Sequence, residues 1–313
     1  MSDLYAWLAV LAERGTLPDV FRYAFFVRGL LSVLLLAPLL GGMSHLVVAR
    51  RLSFFSAALG QAALTGLTIG LVVLSEPLNA PYGGLFGFCF LSALAMVYVK
   101  RHAALPSDTL VGVFLSMTLG LGICLLVAVT KRFNIHQVEA VMFGSLLTVT
   151  DTDLAILLAI GGLIIIVFAW IYNQLLLDSL DASLASVSGV RSGLIDYLFV
   201  VLLTAAIVVS LKVIGALLVE AMVVVPAAAA RNLARNTRSY LLLSIGTAVI
   251  AGIGGLFISS RLLVPSGGAV VLAMSTLFFV TLAIAGVRTL VVGEPNPGAP
   301  ATPPTPTPPR AER

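Results

Sequence analysis

Charged residues are scarce in this chain: Asp, Glu, Lys and Arg make up 10% of its 313 residues. Soluble domains carry about 25% charged residues, which they need to cover a water-facing surface. The shortage therefore excludes a water-soluble enzyme and a disordered chain. The hydrophobic content of 59% and the mean hydropathy of +1.09 predict an all-α polytopic membrane protein instead.

Cysteines and catalytic motifs are also nearly absent. Cys89 and Cys124 both stand in apolar stretches, so they are interpreted as buried thiols, and no disulfide framework or cysteine metal site is predicted. The sequence contains no G-x-x-x-x-G-K-[ST], H-E-x-x-H or G-x-S-x-G motif. The chain is therefore not predicted to be an enzyme, and it has no Walker-type site for nucleotide hydrolysis.

What the sequence does have is long apolar runs. Because a helix needs about 20 mostly apolar residues to cross the hydrocarbon core, nine spans are predicted. They cover 25–49, 57–75, 83–99, 108–130, 154–172, 194–211, 213–230, 240–258 and 268–290. Almost no loop joins the two runs around Lys212, so a re-entrant turn or a broken helix there would change the count by one.

The basic residues predict which side faces the cytoplasm. With nine spans, one side carries Arg50, Arg51, Lys100, Arg101, Arg191, Arg231, Arg235, Arg238 and Arg288. The other side carries Lys131, Arg132, Lys212 and Arg261, with Arg14, Arg22 and Arg28 before or at the start of the first span. Because basic residues accumulate in cytoplasmic loops, the first group is predicted to lie inside.

Segments outside the spans have their own patterns. Residues 1–24 lack the basic start of a signal peptide and predict a helix lying on the membrane surface, whereas the Pro-rich residues 291–313 predict a disordered tail. Residues 131–153 form a long outer connection. The inner connection 173–193 has a helical rhythm that Gly189 is placed to end. This amphipathic helix is either a surface for another protein or a helix lying on lipid.

Polar side chains inside the spans are the candidate functional residues, because ionisable groups at membrane depth are costly and usually face a cavity or a partner. Glu220 lies in mid-span, six residues before Pro226, which is expected to kink the helix. It is either a cation-attracting carboxylate in a transport path or a group that pairs with a neighbouring helix or stays protonated.

The second span carries a stripe of smaller polar groups. Gln61, Thr65 and Thr68 share one helical face, and they either line a pore or form hydrogen bonds with an adjacent helix. Gly66 and Gly70 lie on another face and favour close helix contact.

In the fourth span Asp108, Gly112 and Ser116 repeat every four residues, and Asp108 is placed to cap the helix start. The histidines His45, His102 and His136 are dispersed along the chain. They encode no local metal site, and His136 is interpreted as a solvated loop residue rather than a ligand at the outer mouth.

Six segments, in order, resemble the integral-membrane permeases of bacterial ABC importers for zinc, manganese and iron. They are VVARRLSFFSAALGQAALTGLTIG (47–70), SDTLVGVFLS (107–116), VEAVMFGSLLTVTDTDL (138–154), DASLASVSGVRSG (181–193), KVIGALLVEAMVVVPAAAARNLAR (212–235) and PSGGAVVL (265–272). The resemblance covers about 25–290 and implies a permease domain of eight or nine transmembrane helices in the bacterial inner membrane.

The resemblance also implies the partners and the working cycle. A second permease copy, identical or not, would lie alongside, with two ATPase subunits below and an extracytoplasmic solute-binding protein delivering the metal ion. Transport would follow alternating access, with no permanently bound cofactor. Residues 178–192 would form a coupling segment that docks on the ATPase. Its contact residues would be Asp181, Leu184, Val187, Gly189 and Arg191.

In one respect the chain departs from that family. Members typically carry Asp and His four residues apart in the second span and a further His in the fourth, and the matching positions here are Ala57, Gln61 and Ser116. The predicted path comprises Gln61, Thr65, Asp108, Ser116 and Glu220, with Asp108 and Glu220 contacting the metal. This donor set favours a harder ion, manganese or ferrous iron, over zinc. The alternatives are import of an iron chelate or other small solute, and a non-transporting membrane scaffold.

Overall fold

A computed structural model describes residues 18–72, 82–103, 106–130, 149–180, 182–189, 191–262 and 264–292. In these ranges all regular structure is helical, which confirms the all-α prediction. A 3-10 turn, Asp19–Arg22, precedes α1 (Ala24–Ala49), α2 (Phe55–Val72), α3 (Tyr82–His102), α4 (Ser107–Thr130), α5 (Asp151–Leu180), α6 (Ala182–Val187), α7 (Ser192–Ile214), α8 (Ala216–Arg231), α9 (Thr237–Leu262) and α10 (Ser266–Val292). The predicted interfacial residues 1–17, the tail from 293 and the outer residues 131–148 lie outside the described residues.

Each of the nine predicted spans coincides with one helix of the described part. Six of these helices, α1, α3, α5, α7, α9 and α10, are long and apolar enough to cross a membrane. Of the other three, α2 has 18 residues, α8 has 16, and the apolar part of α4 is Thr109–Leu125.

Helix α1 forms the centre of one group of helices, with α8 and α9 against it and α10 behind them. Leu36, Leu40 and Leu46 of α1 are fully buried there. The hydroxyl of Ser244 in α9 donates a hydrogen bond of 2.7 Å to the carbonyl of Gly41 in α1. Small residues at this crossing let the two backbones approach closely enough for that bond.

The second group consists of α2, α3 and α4. Helix α7 packs against α3 of this group and against α5, and α5 in turn packs against α1 of the first group. A Cβ atom added at Gly84 of α3 would lie 2.5 Å from both the carbonyl oxygen of Gly66 and the Cα of Gly70. The prediction that Gly66 and Gly70 mediate a close helix contact is therefore confirmed.

Gly84→Ala is expected to destabilise the folded permease by about 1–3 kcal/mol, because the new methyl group must push two helix backbones apart. The midpoint of thermal unfolding in detergent measures this effect. Gly87→Ala in the same helix is the matched control, since a Cβ at Gly87 meets nothing within 4 Å. Equal midpoints for the two variants would contradict the close contact.

Two predicted boundaries are wrong. Helix α5 does not end near Tyr172 but continues to Leu180, so the first part of the predicted inner connection is helical. Leu175, expected to belong to an amphipathic cytoplasmic helix, is fully buried in the core. The cytoplasmic helix is therefore shorter than predicted and is limited to the six residues of α6.

The break between the sixth and seventh predicted spans also differs from its predicted place at Lys212. Lys212 is still in the last turn of α7, and the break falls at Gly215. Gly215 has φ of +81° and ψ of 164°, a backbone conformation essentially restricted to glycine. A single residue therefore separates α7 from α8, and the two runs remain distinct helices.

Ion pairs identify the two ends of the bundle. Arg50 pairs with Asp178 near the end of α5, and with Asp196 near the start of α7. We call this the inner end, as the distribution of basic residues predicts. At the first turn of α5, on the opposite side, Asp151 pairs with Arg28 and Asp153 with Lys212.

Candidate transport path and coupling segment

The polar stripe of α2 lies against α4. Thr65 is fully buried, and its hydroxyl donates hydrogen bonds to the carbonyl of Thr118 in α4, at 2.8 Å, and to that of Gln61, at 3.1 Å. The buried Thr68 donates to the carbonyl of Thr65 at 2.7 Å. Thr65 therefore makes the inter-helix hydrogen bond that was one of its two predicted roles, and its place in a transport path stays a prediction.

Gln61 is half-buried, and its side-chain oxygen Oε1 is buried without a hydrogen-bond partner among the described residues. Buried polar atoms in folded proteins nearly always have a partner. This unpaired acceptor makes Gln61 the residue of α2 best suited to contact a passing ion or a water molecule.

Helix α4 presents its polar residues on different sides. Ser116 is exposed, and its hydroxyl donates to the carbonyl of Gly112 one turn earlier, at 3.0 Å. Thr118 is buried against α2. Asp108 is the second residue of α4, at the helix start as predicted. Its side chain is not among the parts that the structure describes.

Glu220 lies on the open side of α8. This helix packs against α1, α2, α9 and α10. Exposed or half-buried residues form a helical stripe along it, namely Leu217, Glu220, Val224, Ala228 and Arg231, and Ala216 and Val225 beside this stripe are also half-buried. Glu220 is therefore an exposed carboxylate, separated from Arg231 at the end of the helix by the apolar side chains of Val224 and Ala228 on this stripe.

One contact brings α2 and α8 together near the candidate residues. A Cβ atom added at Gly60 would lie 3.4 Å from the Cβ of Ala216. Gln61 follows Gly60, and Glu220 is four residues after Ala216, on the same side of its helix. The structure therefore places Gln61 and Glu220 beside one helix contact, whereas Ser116 faces away from α2.

No three His, Cys, Asp or Glu side chains come together to hold a metal ion in the described part of the chain. His45 is buried in α1, with Nε2 lying 3.2 Å from the hydroxyl of Tyr172 and its ring edge-on to Tyr240. His102 is exposed and lies 2.8 Å from the carbonyl of Tyr98. His136 lies outside the described residues.

The coupling segment, residues 178–192, contains α6. Ala185 is fully buried, while Leu184 is 56% exposed and Val187 is 87% exposed. Gly189, with φ of +76°, follows the helix as predicted, and the exposed Arg191 precedes α7. Asp181 lies outside the described residues. Exposed apolar side chains grouped at an inner end are typical of a protein-binding surface.

The ion pairs of Arg50 were not predicted. Sequence reasoning placed Arg50 only as an inner basic residue, and it assigned no role to Asp196. The available signal was Asp196 itself, a charged residue inside the predicted span 194–211. A charge in such a position usually has a partner.

A model of the ABC 3 transport family matches residues 22–285. The chain belongs to this family. It is therefore a multi-pass permease of a bacterial ABC importer family, placed in the inner membrane, and it is not itself the ATPase. Membership in the ABC 3 transport family also implies an ATPase and a solute-binding protein as working partners.

Two curated ABC relatives and one solved structure are similar over most of the chain. The manganese import system permease protein ScaB of Streptococcus gordonii is 28% identical over 71% of this chain and 77% of its own length. The high-affinity zinc uptake system membrane protein ZnuB of Haemophilus influenzae is 28% identical over 72% of this chain and 80% of its own length. PsaBC from Streptococcus pneumoniae, solved in complex with Fab, superposes with a TM-score of 0.74 at 28% identity, covering 87% of this chain and 96% of that chain.

Proposed function

We propose that this ABC 3 family permease imports a divalent metal ion, with manganese or ferrous iron favoured over zinc. The similar relatives include permeases named for manganese and for zinc, so their names support a divalent metal without choosing between the two. The choice rests on the donor atoms that this chain offers.

Glu220 is the observation that carries the proposal. A carboxylate facing lipid at membrane depth is strongly unfavourable, yet Glu220 is exposed on the single chain. The open stripe of α8 is therefore covered by a water-filled path or by protein rather than by lipid. A water-filled path between two permease copies would place both water and protein against this stripe, and Glu220 would attract the cation there.

The donor set next to that path consists of oxygen atoms. Gln61 contributes a buried amide oxygen with no partner in the described ranges, and Glu220 contributes a carboxylate. The path predicted from the sequence also includes Asp108 of α4, as a second metal contact, and Ser116, whose exposed hydroxyl faces away from α2 and would contact the ion only from another side of α4. Oxygen ligands suit manganese, whereas zinc prefers imidazole and thiolate ligands.

The energy for transport would enter through the coupling segment. Leu184 and Val187 offer an exposed apolar surface at the inner end, and we assign them to contact with the ATPase. Gly189 and Arg191 flank this surface, and Asp181 precedes it in sequence. Movement of the ATPase would then switch the path between outward and inward openings.

Reconstitution with the ATPase and the solute-binding protein in liposomes tests the proposal. Uptake of manganese, ferrous iron and zinc is measured in parallel under the same ATP concentration. We expect uptake of manganese or iron to exceed uptake of zinc. A larger zinc signal would refute the hard-ion preference, and uptake of none of the three would favour an iron chelate, another small solute or a non-transporting scaffold.

Gln61→His is expected to raise the ratio of zinc to manganese uptake by about threefold or more, because it places an imidazole where the path now offers an amide oxygen. Gln61→Glu is the matched control, since it keeps an oxygen donor at the same position and is expected to leave zinc disfavoured. An unchanged ratio in Gln61→His would mean that Gln61 does not contact the ion.

A further inference from the structure

Arg50 joins three helices at the inner end. Its Nη2 atom lies 2.9 Å from Oδ2 of Asp178 and 3.1 Å from the carbonyl oxygen of Leu175, both in α5. Its Nη1 atom donates to Oδ1 of Asp196 in α7. The guanidinium carbon also lies 5.1 Å from the centre of the Phe199 ring in α7. The two terminal nitrogens of the guanidinium thus bind different helices, Nη2 binding α5 and Nη1 binding α7.

The two carboxylates stand on either side of the coupling segment. Asp178 is its first residue, two positions before α5 ends, and Asp196 follows its last residue by four positions. Arg50 itself is the residue directly after α1, at the turn into α2. One side chain therefore connects both flanks of α6 to the turn between α1 and α2, and α2 is the helix that carries Gln61.

Stability alone does not account for this cluster. The side chains of Arg50 and Asp178 are only 6% and 8% exposed, and removing two charges from water offsets most of what their attraction contributes. The Nε atom of Arg50 and the Oδ1 atom of Asp178 are also buried without partners among the described residues. A buried ion pair is therefore weak evidence for added stability, and we infer that this one fixes the relative positions of the helices it joins.

Direct packing beside the cluster is incomplete. A cavity of about 140 Å³ lies between Arg50, Phe55, Asp196 and Phe199. Because this cavity separates the apolar side chains of the two elements, the ion pair of Arg50 with Asp196 connects the α1–α2 turn to α7. Arg101 of α3 adds a longer contact, with its Nη2 atom 3.8 Å from Oδ2 of Asp196.

We propose that Arg50 is the positioning residue that transmits movement of the coupling segment to the α1–α2 turn and so to the transport path. This inference rests on the proposed function, because it takes α6 as the point where the ATPase acts. Without Arg50, the ATPase would still dock and hydrolyse ATP, but its movement would reach α2 weakly.

Arg50→Lys tests this role in the full complex reconstituted in liposomes. Lysine keeps the positive charge, but its single nitrogen cannot hold both carboxylates in the geometry of a guanidinium. We expect manganese uptake per ATP hydrolysed to fall about tenfold, with ATPase co-purification and ATP hydrolysis within about twofold of the unmodified complex. Arg51→Lys is the matched control, since Arg51 is exposed and takes part in none of the ion pairs seen among the described residues.

Two further variants keep the test decisive if Arg50→Lys assembles poorly. Asp178→Asn and Asp196→Asn each remove one of the two ion pairs, and each is expected to lower uptake per ATP without releasing the ATPase. A wild-type ratio of uptake to ATP hydrolysis in Arg50→Lys, or in both Asn variants, would overturn the role of Arg50. Failure of the unmodified complex to bind ATPase or to take up metal would instead refute the proposed function.

Discussion

Replacing Glu220 with glutamine is expected to lower the initial rate of manganese uptake by at least about tenfold, the equivalent of about 1.4 kcal/mol of lost attraction for the cation. Glutamine has nearly the same shape but no charge, so the loss would measure electrostatics rather than packing. The measurement is uptake into liposomes that contain the permease and its ATPase, with ATP supplied to the ATPase side.

Two controls accompany this variant. Glu220→Asp keeps the carboxylate and is expected to retain more uptake than Glu220→Gln. Thr276→Val removes a polar group from an exposed position of α10, where the hydroxyl bonds, within the described part of the chain, only to the carbonyl of Leu272 in its own helix. It is expected to transport normally. If Glu220→Gln assembled and transported at the wild-type rate, Glu220 would not lie in the path.

Introducing aspartate at both Leu184 and Val187 is expected to abolish uptake, because the ATPase would no longer bind. Burial of one such side chain contributes about 1.5–3 kcal/mol. Loss of both contributions therefore weakens binding by at least about 100-fold. Co-purification of the ATPase with a tagged permease measures the contact directly, and uptake into liposomes measures its consequence.

Leu290→Asp is the matched control for that double variant. Leu290 is 87% exposed near the end of α10, two residues after Arg288, and so is also assigned to the inner end. Replacing this exposed leucine with aspartate is expected to leave ATPase binding intact. If the double variant at α6 still bound ATPase and transported metal, the coupling segment would have to be sought elsewhere.

The fold was largely predictable because each span must satisfy its backbone hydrogen bonds internally and bury apolar side chains in lipid or protein. The position at which α5 ends was not predictable from the sequence. Asn173 and Gln174 are exposed and polar, and they mark the predicted end of the apolar run. Hydropathy reports where the apolar run ends, and a helix can continue beyond that point, as α5 does to Leu180.

The candidate site was predictable only in part. The polar residues Gln61, Thr65 and Glu220 stand out in apolar surroundings, but the sequence does not tell which of them finds a partner in the fold. Thr65 finds one in α4, whereas Gln61 has an oxygen atom with none in the described ranges. The cluster at Arg50 depends on contacts across 128 and 146 positions of the chain. No local pattern encodes pairings of that kind.

Helix α5 is fastened at both ends to the same two neighbours. At its first turn Asp151 holds Arg28 of α1, at 2.7 Å, and Asp153 holds Lys212 of α7, at 2.9 Å. About 40 Å away along the axis, Arg50 fastens α5 and α7 to the end of α1. Salt bridges at both ends of α5 therefore link α1, α5 and α7 into one three-helix unit. We expect a displacement of the cytoplasmic end of this unit to tilt all three helices together, so that their extracytoplasmic ends are displaced as well.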